Sequence, residues 1–349
     1  MNNRSIPSRV VVYDPNHLNP YGMEVAEILT ESVNQVEFWG TSTRSYPPSR
    51  HFRVQGLLSG PSTEITSKVI CRRILEPVRV IRSAGLDTPL VLIWIRDPWD
   101  CMLFLWRSLR GGRTLFVCHN PEQIRPRRGF VGWLERRLMQ RSTVCVHSPW
   151  MADLVRPRSR EVVVTPHPPY SFASRGGDRV HPQRQPDPRP RVALLGALRE
   201  DKGSQDLADI ARASRGGWIL RIVGPSMLSP TIAAELLSLG VEQEYATLGR
   251  APTDLEVHDA LLASDVVIAP YRRVTESGSV LLALSLGVPV LGYRSHALDR
   301  VVTESSLASD AGGLGSILAT FLKVPWETFR VTPAEIASES GEGWKNALA

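Results

Sequence analysis

Short apolar runs rich in β-branched residues alternate with segments of helical periodicity along almost the whole chain. RVVVY (9–13), VEFW (36–39), LVLIWI (90–95), TLFVC (114–118), TVCVH (143–147) and EVVVT (161–165) read as strands. RVALL (191–195), WILRIV (218–223), EYATL (244–248), DVVIA (265–269) and VPVLGY (288–293) continue the series. Their hydrophobicity is continuous rather than alternating. That marks strands buried on both faces, and hence parallel sheets wrapped by helices. The series is interrupted by ASRGGDRVHPQRQPDPRPR (173–191), rich in Pro, Gly, Arg and Asp and almost free of apolar residues, the composition of a flexible linker. The expected fold class is α/β, with two Rossmann-like domains facing a cleft. The first spans 1–172, the linker 173–190 and the second domain 191–325, and a helical tail over 326–349 packs back across the join. In such sheets ligands sit beyond the carboxyl ends of the strands, so strand-end residues are the candidates for chemistry.

A length of 349 residues, with 42% hydrophobic and 22% charged residues, suits two globular domains and excludes a disordered chain. The most apolar run, PLVLIWIRDPWDCMLFLWRSL (89–109), carries Arg96, Asp97, Pro98 and Asp100 in its middle. It therefore reads as strand, loop and helix rather than as a membrane span. No apolar h-region follows Met1, so a cytoplasmic location is expected. Cys71, Cys101, Cys118 and Cys145 form no C-x-x-C pair and have no His at metal spacing. They are expected as buried thiols in a reducing compartment, with no metal.

The net charge of +6 comes mainly from arginine, densest over 125–160. Within that stretch GFVGWLERRLMQR (129–141) spaces Phe130, Trp133, Leu134 and Leu138 nearly as a helix, with arginines between them. This is either a solvated helix or one resting on anionic lipid headgroups, a peripheral membrane contact. With no zinc-finger spacing or RNA-binding aromatic signature, nucleic acid is not an expected partner.

Two segments of the second half carry chemistry. In RVALLGALREDKGSQDLADIARA (191–213) a strand meets a Gly-containing turn, two basic residues and a helix expected to open at Gly203-Ser204. Arg199 and Lys202 stand where a polyanion would meet both their charges and helix N–H groups. In ASDVVIAPYRRVTESGSVLLALSLGVPVLGY (263–293) a strand ends at Ala269-Pro270 and a buried helix starts at Ser277-Gly278-Ser279. Gly278 permits close approach of a phosphate to the backbone, Ser277 or Ser279 can cap the helix or donate a hydroxyl, and Gly287 closes it.

The order of these segments resembles the donor half of GT-B glycosyltransferases, specifically the large retaining family 4 (group 1). GALREDKG is similar to that family's Gly-x-x-Arg-x-x-Lys-Gly segment, which implies that Arg199 and Lys202 bind the donor diphosphate together with Ser277, Gly278 and Ser279. The resemblance extends to LFVCHN (115–120), implying that His119 stands near the reacting sugar, and to VVVTPHPPY (162–170). DPNHLNPYGMEVAEIL (14–29) resembles the first loop, placing Asn16, Tyr21 and Gly22 beside the acceptor. Gly196, Gly224 and Arg250 are the implied nucleotide contacts. There is one departure. Where the family carries Glu-x7-Glu, this chain has Val274 or Thr275 and Leu282 or Ala283, and Glu276 is the only acid nearby.

The resemblance implies a metal-independent hexosyltransferase without cofactor, taking a UDP- or GDP-sugar to a saccharide or lipid-linked acceptor in cell-envelope or exopolysaccharide assembly. Retention, in which the leaving phosphate takes the acceptor proton, is slightly favoured. Inversion needs a base, for which Asp14, Asp97 and, beyond His119, Glu122 are candidates; His119, positioning or polarising the sugar hydroxyls, and Glu276 complete the catalytic candidates. The alternatives are a non-catalytic GT-B protein that binds a nucleotide sugar or a partner transferase, and a nucleotide-sugar 2-epimerase.

Overall fold

The computed structural model describes residues 6–16, 20–41, 52–58, 67–121, 129–170 and 188–349. Glu122 and most of the expected linker lie outside the described residues. Two compact units form, Met1–Pro168 with Ile336–Ala349, and Pro169–Glu335.

The first unit is built on β1 (Arg9–Tyr13), β2 (Gln35–Thr41), β3 (Arg53–Leu58), β4 (Leu90–Leu92), β5 (Thr114–Val117), β6 (Thr143–Val146) and β7 (Glu161–Val164). They pair in the order β3-β2-β1-β4-β5-β6-β7, every pair parallel. Because the chain runs outward from β1 and then resumes at β4 on its other side, β1/β4 is the switch point at which helices diverge to opposite faces. The apolar strands are shut from solvent: Val10, Val11, Val12, Leu90, Val91 and Leu92 have no exposure. Helix Pro98–Leu109 is held against β4 and β5 by the buried Arg107. Its guanidinium donates to the carbonyls of Gly85 (2.9 Å), Thr88 (2.6 Å) and Arg113 (2.8 Å), so backbone oxygens rather than a carboxylate satisfy it.

The second unit carries β8 (Arg191–Leu195), β9 (Ile219–Val223), β10 (Glu242–Tyr245), β11 (Val266–Ala269), β12 (Val290–Tyr293) and β13 (Leu307–Ala308). The order is β10-β9-β8-β11-β12-β13, again parallel throughout, with its own switch point at β8/β11. Trp218, Leu220, Ile222 and Ile268 form its core with Ile210, Leu314 and Phe321 from the helices.

Two expectations are corrected. The strand expected over 244–248 runs over Glu242–Tyr245, where an edge position lets the polar EQEY sequence pair on one side only. Cys71 is exposed, because it lies on the outward side of helix Ser67–Ala84; Cys101, Cys118 and Cys145 are buried. In the tail, the helix Pro333–Leu348 contributes Ile336–Ala349 to the first unit. There Ser340 Oγ donates to Pro166 O at 2.7 Å, and Gly343 comes so close that a Cβ would stand 2.7 Å from Val164 O. The apolar run 89–109 resolves into β4, a loop and helix Pro98–Leu109. Among the described residues no helix is long and apolar enough to cross a membrane.

Candidate active site

At the carboxyl edge of the first sheet, β1, β4, β5, β6 and β7 deliver Asp14, Trp94, His119, His147 and His167 in turn. Tyr21, expected beside the acceptor, is fully buried and forms the hub of this group. Its ring packs on His119 (4.7 Å between centroids), His147 (5.2 Å) and His167 (4.6 Å). Trp94 stacks on His119 at 4.0 Å with only 10° between planes. His119 Nε2 meets Ile93 O at 3.1 Å, and its Nδ1 faces His147 Nε2 at 3.2 Å. His147 Nδ1 meets Thr165 O at 3.0 Å. A carbonyl only accepts, so His119 Nε2 and His147 Nδ1 carry hydrogens. Burial, reinforced by His147 and His167, pushes the His119 pKa well below its usual 6.5, so the ring is neutral. The lone pair of the neutral ring is on Nδ1 and faces His147 Nε2, so it is turned to a protein group rather than offered for proton abstraction.

Asp14 is the carboxylate at the switch point. Its Oδ1 accepts the Asn16 N–H at 3.0 Å. Its Oδ2 fills the space that a Cβ on Gly22 would need, at 2.2 Å. Gly22, the second residue of helix Tyr21–Leu29, is thus what admits the carboxylate to the first turn, where the helix dipole favours negative charge. Asp97 has a different job: it stands at the N-cap of helix Pro98–Leu109 and pairs with Arg96 (2.9 Å). Behind it lies a network absent from the sequence reading. Tyr13 Oη donates to the buried Asp100 at 2.9 Å, Asp100 accepts the Arg96 N–H at 3.0 Å, and Arg96 reaches Glu76 at 2.9 Å. Burial raises the Asp100 carboxyl despite the pull of Arg96.

In the second unit, the strand ends beside the switch point have a bare backbone. Gly196 (φ +99°) directly follows β8 and Gly224 directly follows β9, and a Cβ on Gly224 would stand 2.1 Å from Gly196 O. Only two glycines allow these strand ends to close on each other through the Gly196 N–H to Val223 O bond of 2.9 Å. The next loop winds into two short 3-10 turns, Glu200–Lys202 and Ser204–Asp206, and the α-helix opens at Leu207 rather than at Gly203-Ser204. Asp206 takes the position before that helix and binds the Arg272 guanidinium and Tyr293 Oη (2.8 Å), so a protein carboxylate already meets this N-terminus. Gly203 (φ +70°) seats the loop against β11, where a Cβ would stand 2.0 Å from Pro270 O.

Lys202 places Nζ 3.6 Å from the centroid of the buried Tyr271 ring. Burial, with a smaller contribution from Arg199, pushes its pKa down to about 8, against the opposing pull of Asp201. Arg199 is more exposed and forks onto Asp201 through bonds of 2.9 and 2.8 Å. Helix Gly278–Ser285 begins with Ser277 as N-cap, its Oγ accepting the Val280 N–H at 3.3 Å. Val280, Leu281, Ala283 and Leu284 bury it, and Gly287 (φ +70°) closes it. Gly278 and Ser279 thus sit in the first turn, beside Tyr271, whose own pKa burial raises against the pull of Ser279 and Ser277. Glu276 lies at the same mouth. Its Oε1 is shut from solvent with no hydrogen-bond partner, and burial pushes its pKa up to about 7 despite Arg300 and the Ser277 N–H. Arg250 is exposed and engaged with Glu256, the residue that boxes the start of helix Asp254–Leu262. The second site therefore brings together Gly196, Gly224, Arg199, Lys202, Glu276, Ser277, Gly278 and Ser279. Tyr271, Asp206 and Arg272 were missed, because neither a lone Tyr after Pro270 nor a lone Asp signals the partners that folding supplies.

Residues 189–317 match the family model described as Glycosyl transferases group 1. Over 217 residues the chain is 30% identical to the GDP-mannose:glycolipid 4-beta-D-mannosyltransferase of Xanthomonas campestris pv. campestris. The match covers 58% of this chain and 56% of the relative, so the chain spans a little over half the length of the curated relatives it matches. Among solved structures, Anabaena Alr3699/HepE in complex with UDP and glucose aligns with a TM-score of 0.62 at 12% identity, covering 98% of this chain and 95% of that one. Sucrose-phosphate synthase (tll1590) from Thermosynechococcus elongatus aligns with a TM-score of 0.60 at 16% identity, over 97% and 94%. These likenesses establish the fold, the two parallel-sheet units of the GT-B class.

Proposed function

We propose that this chain is a glycosyltransferase that moves a hexosyl group from a UDP- or GDP-sugar to a saccharide or lipid-linked saccharide acceptor, in cell-envelope or exopolysaccharide assembly. The carrying observation is the bare-backbone strand ends beside the switch point of the second unit, Gly196 against Gly224, with Lys202 and the first turn of helix Gly278–Ser285. A nucleoside diphosphate needs close backbone approach, cations and unsatisfied N–H groups, and these residues offer all three. Lys202, Arg199 and the helix N–H groups would offset the leaving charge without a metal or cofactor. A GDP-sugar is the donor named for the mannosyltransferase relative, and a glycolipid its acceptor. On this reading Gly196 and Gly224 face the nucleotide, and the group around Asp14, Gly22 and His119 faces the acceptor and the reacting sugar. The helix Gly129–Arg141 would keep the chain peripheral at an anionic membrane.

Retention follows if the leaving phosphate takes the acceptor proton, with His119 shaping the pocket. Inversion is favoured by one observation, the buried Asp14 carboxylate fitted against Gly22, the strand-end acid in place to act as base. The relative's name also specifies a β linkage. The anomeric configuration of the product, read from its proton coupling, decides between the routes. The donor assignment is tested by titrating a panel of UDP- and GDP-sugars into the purified chain. One donor is expected to raise the melting temperature by mass action, and Lys202→Ala to abolish that rise. A Lys202→Ala variant that bound donor like the parent would end the assignment.

A further inference from the structure

The exposed apolar side chains of the first unit are gathered rather than scattered. Trp99 (42% exposed), Met102, Trp106 (50%) and Leu109 (58%) recur at i, i+3, i+7 and i+10 along helix Pro98–Leu109. Cys101, Phe104 and Leu105, on the other side, fill the core. A helix flanking a sheet needs one apolar face; this one has two. Its neighbour Gly129–Arg141 adds Phe130 (62%) and Trp133, whose rings stack 5.9 Å apart. On the other flank, Ser67–Ala84 adds Ile70 and Leu75. These three helices pack side by side because they make the successive crossovers β3→β4→β5→β6, which a constant hand puts on one face of the sheet.

The exposed charged side chains within these three helices have one sign. Arg72, Arg79 and Arg82 are exposed on the first helix and Arg136, Arg137 and Arg141 on the third. The acids of the three helices are Glu76 and Asp100, both buried, and Glu135, partly buried, so none presents an exposed carboxylate. Arg110 lies over the Trp106 ring at 5.4 Å and Arg137 over Trp133 at 5.6 Å. An aromatic ring with a cation at its rim suits the headgroup level of a bilayer, where one end is apolar and the other meets phosphate.

We infer that this three-helix face rests on an anionic lipid bilayer, with the Trp99–Trp106–Leu109 stripe at its centre and the arginines on lipid phosphates. The inference deepens the membrane contact of the preceding reading. It moves the centre of the contact from Gly129–Arg141 to Pro98–Leu109, which the sequence reading took only as the helix that ends the apolar run 89–109. Apolar burial and headgroup attraction act together here. A second copy of the chain fits poorly, since a two-fold contact would set this cationic face against itself. Nucleic acid would engage the arginines but leave the tryptophan, methionine and leucine stripe unexplained.

The test is flotation of the full chain with vesicles of phosphatidylcholine alone, or with roughly one part in three phosphatidylglycerol. The chain is expected to float with the anionic vesicles only, and less at high salt. Trp106→Ala/Leu109→Ala and, separately, Arg137→Glu/Arg141→Glu are expected to lower partitioning at least tenfold. Unchanged melting temperatures and donor-induced shifts would confirm that the fold and second unit are intact. Failure of the parent to float, or variants that float like it, would overturn the inference. So would a concentration-dependent dimer lost in the Trp106 variant, or DNA binding that needs only the arginines. Donor binding without flotation would sink this inference alone; flotation without donor binding would sink the transferase reading alone.

Discussion

Lys202 answers to two opposed demands. Burial against Tyr271 favours the neutral amine and brings its pKa from 10.5 to about 8, whereas a diphosphate favours the ammonium. Donor affinity is therefore expected to hold below pH 8 and to fall as pH rises through it, measured by calorimetry across pH 6–10. Lys202→Arg should remove that alkaline decline. Glu276 has the opposite sign. Its folded pKa of about 7 exceeds the usual 4.5, so the folded state holds the extra proton. The stability so gained is full below 4.5 and lost as pH rises through 7. Glu276→Gln is expected to raise the melting temperature at pH 8 and to change it little near pH 4.5. A variant equally shifted at both pH values would mean that the carboxyl is not the titrating group. For Glu276 the sequence was informative only in part. It marked an acid displaced from the family's positions, but an unpartnered oxygen arises from packing around Arg300 and Ser277, which no local pattern records.

At the scale of elements, each site hangs on glycines where the chain turns from strand to helix. Gly203→Ala combines a left-handed φ with a Cβ 2.0 Å from Pro270 O, a backbone atom that cannot step aside. A loss of more than ~1 kcal/mol is expected in urea unfolding, along with weaker donor binding as Lys202 shifts. Gly22→Ala would instead displace the Asp14 side chain, lowering transfer while leaving donor binding in the second unit unchanged. Those glycines were legible, because Gly-rich strand-to-helix turns have few other uses. The helix start was not. Ser204 looked like a cap, yet the chain winds 3-10 turns to Asp206, whose partners Arg272 and Tyr293 come from the far side of β11 and from β12. β3 escaped for a related reason: RVQGLL has a Gly and no apolar continuity, and pairs as an edge strand beside β2.

Across the whole molecule, continuous apolar runs were enough to indicate two parallel sheets, since only strands covered on both faces can be so uniformly hydrophobic. Strand order was beyond those runs, and it is the order that puts Asp14 and Gly196 at the two switch points. The three-histidine group around Tyr21 is likewise a product of topology. His119, His147 and His167 end three adjacent strands and meet only because β5, β6 and β7 are neighbours. The central claim is transfer of a sugar from a nucleotide diphosphate held by the second unit, and it is tested most directly by following labelled donor. GDP- and UDP-sugars are incubated with the chain and a glycolipid extract, and nucleoside diphosphate release and labelled glycolipid are measured together. The account predicts equal release and incorporation from one donor, reduced roughly 10²–10³-fold in Lys202→Ala. Donor binding with neither release nor incorporation would contradict it.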